Sequence, residues 1–180
     1  YRLGRFFRPE LNFAACDIRD PRATDCVCDG QDIIVHAAAL SSPWGSWDAF
    51  RVSNVEGTRN VVEACRRRPE VRLVYISSTA IHFEFRDKLD GMEDAALPTR
   101  FACEYARSKA EAEAVVRRAA DEGVNAVILR ARAVFGPGDN SLLPRLVAAA
   151  RRGRLPQIGP GDNRVDLTFV DNLAYAICLA

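Results

Sequence analysis

The chain has 180 residues, 48% of them hydrophobic, and its 25 basic and 24 acidic side chains leave a formal charge of +1. This length and apolar content suffice for a globular unit with a sizeable core, and the balanced charge gives no reason to expect a nucleic-acid partner. No apolar run approaches the roughly 18 residues of a membrane span, and the first residues lack a signal-peptide pattern, so we expect a cytoplasmic protein without membrane association.

Short runs of β-forming residues alternate with helical patterns along the chain. The runs cover residues 11–16, 33–36, 71–77 and 124–130, and helices are predicted at about 47–67 and 103–122. Strands that alternate with helices form right-handed crossovers. The pattern therefore predicts an α/β fold with a doubly wound, Rossmann-like parallel sheet. Such sheets bind ligands at the carboxyl ends of their strands.

Small, hydroxyl-bearing or turn-forming residues follow three of these strands. Small side chains let a flat ligand lie against the backbone, and hydroxyl groups both donate and accept hydrogen bonds. The three predicted strand ends are Ala37, Ala38 and Ala39; Ser77, Ser78 and Thr79; and the segment 131–139. A plain strand-to-helix turn would also account for these residue types at any one of the three ends.

Tyr105 and Lys109 stand four residues apart within a predicted helix, and Lys109 is one of only two lysines in the chain. Residues at this spacing project from one helix face, so a phenol and an ammonium can address the same ligand. A nearby cation favours phenolate over phenol, which lets a tyrosine exchange protons with a substrate oxygen. The alternative is a surface helix with a solvated tyrosine and lysine.

The six cysteines are at positions 16, 26, 28, 65, 103 and 178. Cys26 and Cys28 are separated by one residue, whereas zinc and redox pairs use two. We therefore predict free thiols that fill space, and no metal site.

Seven segments, taken together and in order, resemble the extended short-chain dehydrogenase/reductase superfamily. That group contains NAD(P)-dependent sugar epimerases, dehydratases and 3β-hydroxysteroid dehydrogenases. The matching segments are Cys-Asp-Ile-Arg-Asp at 16–20, His-Ala-Ala-Ala at 36–39, Asn-Val-Glu-Gly-Thr-Arg-Asn at 54–60, Ser-Ser-Thr at 77–79, Tyr-Ala-Arg-Ser-Lys at 105–109, residues 129–139, and Phe-Val-Asp-Asn at 169–172.

The resemblance implies roles for individual residues. Thr79, Tyr105 and Lys109 would be catalytic: Thr79 would bond the substrate oxygen, Tyr105 would be the acid/base, and Lys109 would bind the nicotinamide ribose. Asn54 is expected to bridge neighbouring elements rather than act in the chemistry. The residues implied to contact the cofactor, NAD or NADP, are Asp17, Ile18, Ala37, Ala38, Ala39, Ser77, Ser78, Tyr105, Lys109, Ala131 and Val134.

Three further segments, Trp-Gly-Ser-Trp at 44–47, His-Phe-Glu-Phe-Arg-Asp at 82–87 and Arg-Ala-Arg-Ala-Val-Phe-Gly at 130–136, give a finer resemblance. They are more similar to the 3β-hydroxysteroid dehydrogenase-like branch, including bacterial 2-alkyl-3-oxoalkanoate reductases, than to nucleotide-sugar epimerases. It implies an oxidoreductase acting on a ketone or secondary alcohol of a largely apolar, steroid-like or β-keto acid-like substrate. Aromatic residues at 44, 47, 83 and 85 would line that pocket or anchor loops. A nucleotide-sugar epimerase or dehydratase and a non-catalytic dinucleotide sensor are the alternatives.

The chain also departs from the family pattern, because it contains no Gly-x-x-Gly-x-x-Gly turn for the cofactor pyrophosphate. It is expected to begin near the second family strand, with a cofactor domain over 1–140 and the start of a substrate lobe over 141–180. Arg5, with Arg2 and Arg8 nearby, favours NADP slightly. The two helices at about 47–67 and 103–122 resemble the pair that forms a homodimer interface in this superfamily.

Overall fold

The computed structural model describes residues 10–42, 44–86, 88, 91–139, 143–155, 157, 159–162 and 164–180. Arg2, Arg5 and Arg8, on which the NADP preference was based, lie outside this part. The helices are α1 (Pro21–Cys28), α2 (Trp47–Phe50), α3 (Gly57–Arg66), α4 (Glu104–Asp121), α5 (Leu143–Arg151) and α6 (Val170–Leu179). The strands are β1 (Ile33–His36), β2 (Arg72–Ser78), β3 (Ala126–Ala131), β4 (Val134–Phe135) and β5 (Thr168–Phe169).

The predicted parallel α/β architecture is confirmed. Strands β1, β2 and β3 form one parallel sheet in that order, with Ile34 beside Leu73 and Tyr75 beside Ile128. The short strands β4 and β5 form a second parallel pair. The carboxyl ends of the first three strands therefore meet at one edge, where Ala37, Thr79 and Arg132 follow them.

Helices α3 and α4 cover one face of the three-stranded sheet. Strand side chains alternate between faces, so Leu73 and Tyr75 point toward these helices. The core cluster on this side contains Val61, Val62, Cys65, Val71, Leu73, Tyr75, Ala112, Val116, Ala119 and Val124. Ser77 on β2 and Arg130 on β3 point to the same face of the sheet, where both bind Glu113 of α4.

The predicted helix at 47–67 is present, but it contains a π-helical segment, Arg51–Glu56, between α2 and α3. Ser46 caps α2 by accepting the amide of Ala49 at 3.3 Å. Gly57, the first residue of α3, is in close contact with Ile18: a Cβ at position 57 would lie 2.6 Å from Cδ1 of Ile18, so a larger residue would require that side chain to move. The chain around Ile18 can therefore pack directly against α3.

The strand predicted over 11–16 is wrong. Residues 11–15 are exposed and belong to no strand, since a strand exists only through pairing and no described strand offers this segment a partner. Helix α1 was not predicted, although its start carries a clear signal: Asp20 accepts the amides of Arg22 and Ala23, and Pro21 occupies the first turn.

The chain turns sharply after β3. Ala133 has a φ of 42°, the only positive φ at a non-glycine residue in the described part of the chain. This left-handed conformation is disfavoured for a residue with a Cβ. It redirects the chain from the main sheet into β4, so the segment expected to cover the nicotinamide is bent at its centre.

All six cysteines are free thiols, but only Cys28 and Cys65 are buried, so the prediction that most of them fill core space is wrong. Among the described helices, none has both the length and the apolar composition required to span a bilayer.

Candidate active site

Lys109 is held inside the protein at the carboxyl end of β2. Its side chain projects from α4, only 3% of the residue is exposed, and Nζ donates to the carbonyl oxygen of Ile76 at 2.6 Å. Nζ also lies 4.3 Å from the ring centroid of Tyr75. An ammonium has three donors and the described residues use one of them, so two N–H groups remain for a ligand.

Burial lowers the pKa of Lys109 from 10.5 to about 8, although the Glu113 carboxylate one helical turn further on acts in the opposite direction. The group therefore remains protonated at neutral pH. A buried cation with unused donors is suited to holding hydroxyl groups of a ligand.

Tyr105 lies one helical turn before Lys109, on the same face of α4. It is half-buried, and its ring meets that of Phe50 edge-on, with centroids 6.4 Å apart. Contact with Phe50 restricts the ring, so the phenol is positioned rather than freely rotating. The predicted surface-helix alternative is excluded for Lys109, whose ammonium is buried.

Asn54 ties the loop after β1 to α4. Its side-chain Oδ1 accepts the amide of Leu40 at 2.7 Å, and Nδ2 donates to the Leu40 carbonyl at 3.1 Å and to Ser108 Oγ at 2.9 Å. Ser108 in turn donates to the carbonyl of Tyr105 at 2.8 Å. The expected bridging role of Asn54 is confirmed, and its place in a π-helical segment fits the frequent use of such segments at functional sites.

His36, at the end of β1, is buried and neutral. Thr58 donates its hydroxyl hydrogen to the Asn54 carbonyl at 2.6 Å, so the 2.9 Å contact with His36 Nε2 requires that Nε2 carry the hydrogen. Burial, reinforced by the Lys109 charge, lowers the pKa of His36 from 6.5 to about 4.

This buried histidine predicts a defined loss of stability in acid. Between pH 6.5 and about 4 the unfolded chain binds a proton at His36 that the folded chain does not, so stabilisation present above pH 6.5 is lost as the pH falls. The shift corresponds to about 3 kcal/mol. We expect the unfolding free energy of both proteins, measured by denaturant titration, to decrease between these pH values. The decrease should be about 3 kcal/mol smaller in His36→Gln than in the wild type. Parallel curves for the two proteins would contradict this assignment.

Ser77, Ser78 and Thr79 follow one another at the end of β2 but do not share an environment. Ser77 is buried and donates to Glu113 Oε2 at 2.6 Å, inside the helix layer. Ser78 is on the opposite face, where Oγ accepts the amide of Ala80 at 3.2 Å and keeps its own hydrogen free. Thr79 begins the 3-10 turn Thr79–His82 and lines an open cavity. Ser78 and Thr79, rather than Ser77, have hydroxyls available to a ligand.

Glu113 is the centre of a buried polar network. Its carboxylate accepts from Ser77 and from Arg130, whose Nη2 lies 2.7 Å from Oε1, and Arg117 pairs with it from the helix surface at 3.0 Å. Burial opposes ionisation, but the bonds from Arg130, Ser77 and Arg117 outweigh it and keep the pKa of Glu113 below its ordinary value. The network joins α4 to the ends of β2 and β3.

Arg130 extends this network to the 3-10 turn. Its Nη1 donates to the carbonyl of Glu93 at 2.6 Å and to His82 Nε2 at 3.0 Å. Because arginine only donates, His82 must be neutral at that nitrogen, and burial together with Arg130 lowers the pKa of His82. The sequence analysis did not identify Glu113, Arg130 or His82, although a glutamate four residues after Lys109 on the same helix face was a usable signal.

A cavity of about 1070 Å³ opens beside the end of β3. Thr79 and Ala131 line it, together with Phe83, whereas neither Tyr105 nor Lys109 is among its described lining residues. The Lys109 ammonium binds the carbonyl of Ile76, and Thr79 lines the cavity. Both therefore lie near the carboxyl end of β2.

The four aromatic residues at 44, 47, 83 and 85, which were predicted to line a pocket or anchor loops, have different environments. Trp44 and Phe85 are mostly exposed, and Trp47 stacks beneath the guanidinium of Arg107 at 3.6 Å. Phe83 alone of the four lines the large cavity. Trp47 is therefore a helix anchor, which was one of the two predicted possibilities.

The residues implied to contact the adenosine and the pyrophosphate lie just before α1 and just after β1. Ala37, Ala38 and Ala39 are exposed directly after β1. The carboxylate of Asp17 accepts the amide, Nε and Nη2 of Arg19, and these bonds lower the pKa of Asp17 to about 2. Ile18 packs on Gly57, and its carbonyl accepts from Asn60 at 2.8 Å.

Known proteins resemble this chain over most of its length. A sequence model of the 3-beta hydroxysteroid dehydrogenase/isomerase family matches residues 6–180. A 2-alkyl-3-oxoalkanoate reductase of Stenotrophomonas maltophilia is 40% identical over 91% of this chain and 50% of its own length. A decarboxylating sterol-4-alpha-carboxylate 3-dehydrogenase of Schizosaccharomyces pombe is 35% identical over 82% of this chain and 44% of its own.

A solved structure has the same fold. The dTDP-glucose 4,6-dehydratase DesIV of Streptomyces venezuelae, crystallised with NAD, is 28% identical with a TM-score of 0.82, over 96% of this chain and 55% of that protein. The chain thus spans about half the length of each of these relatives.

Proposed function

We propose that this chain, which belongs to the 3-beta hydroxysteroid dehydrogenase/isomerase family, carries the catalytic residues of an NAD(P)-dependent oxidoreductase that interconverts a ketone and a secondary alcohol. The observation that carries the proposal is the buried ammonium of Lys109, one turn after Tyr105 and bonded to the end of β2. Proton transfer at a substrate oxygen is the chemistry that a tyrosine beside a buried cation is suited to perform.

The residues present fit a nicotinamide dinucleotide. Lys109 has two unused N–H groups for ribose hydroxyls, and the exposed stretch 37–39 leaves the backbone after β1 accessible. We propose Ala131 and Val134, on either side of the bend at Ala133, for the nicotinamide face. Such a cofactor, when bound, supplies or accepts the hydride. Both NAD and NADP are candidates.

The side chains would divide the remaining chemistry. In the reducing direction Thr79 would donate a hydrogen bond to the ketone oxygen and Tyr105 would deliver the proton that completes the hydroxyl, while Ser78 would flank the nicotinamide. In the oxidising direction Tyr105 takes that proton back. Lys109, one helical turn further along α4, would hold the hydroxyls of the nicotinamide ribose.

The names of the relatives suggest a substrate class. A 3-oxoalkanoate and a sterol-4-carboxylate oxidised at position 3 both have a carboxylate on the carbon next to the reacting one. The cavity beside Thr79 combines apolar side chains, such as Phe83, Met92 and Leu129, with many charged ones, which supports a substrate that has both an apolar body and a charged group. We therefore propose a β-oxo or β-hydroxy acid. A homodimer and a division near residue 140 remain predictions from the resemblance.

The test is oxidation of NADH or NADPH, followed by absorbance, with the whole protein and a panel of ketones. We expect turnover with a 2-alkyl-3-oxo acid, and at least about tenfold lower kcat/KM with a nucleotide 4-keto sugar. A preference for the sugar nucleotide would favour the epimerase or dehydratase alternative. Binding of cofactor without turnover of any ketone would favour the sensor.

A further inference from the structure

Some of the cationic side chains that line the large cavity have a carboxylate partner and others do not. Six lysine and arginine side chains line it among the described residues. Four have carboxylate partners: Arg86 and Lys88 pair with Glu84, and Arg117 and Arg130 pair with Glu113. The guanidinium groups of the other two, Arg132 and Arg164, have no partner in the part of the chain that the structure describes.

These two arginines differ in how firmly they are placed. Arg132 directly follows β3, and its backbone is held from both sides: its amide donates to Thr168 Oγ1 at 3.4 Å and its carbonyl accepts the Thr168 amide at 3.1 Å. Arg132 and Arg164 are both exposed and lie outside any helix or strand, but the backbone of Arg164 makes no hydrogen bond with another of the described residues.

Arg132 also has the more informative neighbours. Ala131 on one side lines the same cavity as Thr79, and Ala133 on the other has the left-handed conformation that bends the chain. Strained backbone of this kind is concentrated at functional sites, where surrounding structure holds it. The bend presents Arg132 where β3 ends and the cavity begins.

We propose that Arg132 binds the carboxylate of the substrate and so determines the preference of the enzyme for an acid. This inference rests on the proposed function. A planar guanidinium bonds a carboxylate through two parallel N–H groups, which fixes orientation as well as charge. With the carboxylate on Arg132, the oxygen-bearing β-carbon would lie in the same cavity as the hydroxyl of Thr79, and the alkyl or ring system would contact Phe83 and Met92, which also line it.

The experiment compares an acid with its uncharged counterpart. The whole protein is assayed for reduction of NAD or NADP with a 2-alkyl-3-hydroxyalkanoate and with the methyl ester of the same compound. Arg132→Met should lower the acid-to-ester ratio of kcat/KM about 10- to 100-fold, the range expected for hydrogen bonds to a charged group. Arg132→Lys should recover part of that ratio, because it restores charge without the planar fork.

Arg164→Met is the matched control, since it removes the other unpaired guanidinium from the same cavity. We expect its acid-to-ester ratio to stay within about threefold of wild type, as for a solvent-screened charge. The inference is overturned if Arg132→Met lowers kcat/KM equally for acid and ester, or if Arg164→Met produces the larger change in the ratio. Failure of the wild-type protein to oxidise either compound would instead overturn the proposed function.

Discussion

Replacing Tyr105 by phenylalanine should reduce turnover by about 10²- to 10⁴-fold, the usual contribution of a positioned general acid or base. The ring remains available for its edge-on contact with Phe50, and only the hydroxyl is lost. The proton donor at the substrate oxygen therefore disappears without loss of packing. The measurement is steady-state oxidation of the reduced cofactor, combined with a fluorescence titration of cofactor binding.

Cofactor affinity should stay within about threefold in this variant, because the ribose contact is proposed for Lys109 rather than for the phenol. Tyr175→Phe is a suitable control: Tyr175 lies on α6 with 66% of its surface exposed, so its removal should leave turnover at the wild-type level. Wild-type activity in Tyr105→Phe would assign the protein to the non-catalytic sensors. Equal losses in both variants would point to a general effect of tyrosine removal.

Replacing Glu113 by glutamine should have the largest effect on stability. It removes the charge that compensates Arg130, whose side chain is only 15% exposed, and it weakens the acceptor of Ser77. Removing one partner of a buried ion pair destabilises by about 3–5 kcal/mol because the other charge remains buried and uncompensated. Denaturant titration at neutral pH measures the change.

The matched control lies two residues earlier on the same helix. Glu111 pairs with Arg107 at 2.9 Å, but both side chains are about two-fifths exposed, at 41% and 43%. Glu111→Gln should therefore change the unfolding free energy by about 0–1 kcal/mol. Equal destabilisation by the two substitutions would show that the Glu113 network contributes no more than a surface pair.

The sheet and the Tyr105–Lys109 pair were predictable because both follow from short-range patterns. Alternating apolar runs and helical stretches gave the correct parallel strands at β1, β2 and β3, and the four-residue spacing placed two functional groups on one face of α4. The segment 11–16 misled because β-forming residues do not specify whether a neighbouring strand is available. Its composition resembles that of a strand, yet no described strand pairs with it.

The polar network could not be predicted in the same way, because it joins residues distant in the chain. Ser77 and Glu113 are separated by 36 positions and Arg130 and His82 by 48, and only the register of the sheet against α4 brings them together. The two adjacent serines show the same limitation. A strand sends neighbouring side chains to opposite faces, so Ser77 enters the helix layer while Ser78 stays available.

The most direct measurement follows the hydride itself. The whole protein is supplied with nicotinamide cofactor deuterated at both C4 positions and with a 2-alkyl-3-oxo acid, and the alcohol product is analysed by mass spectrometry and NMR. Hydride transfer predicts one deuterium on the new carbinol carbon, with the hydroxyl hydrogen supplied through Tyr105 and exchangeable with water. An alcohol without deuterium at that carbon, or no alcohol at all, would contradict the proposed reaction.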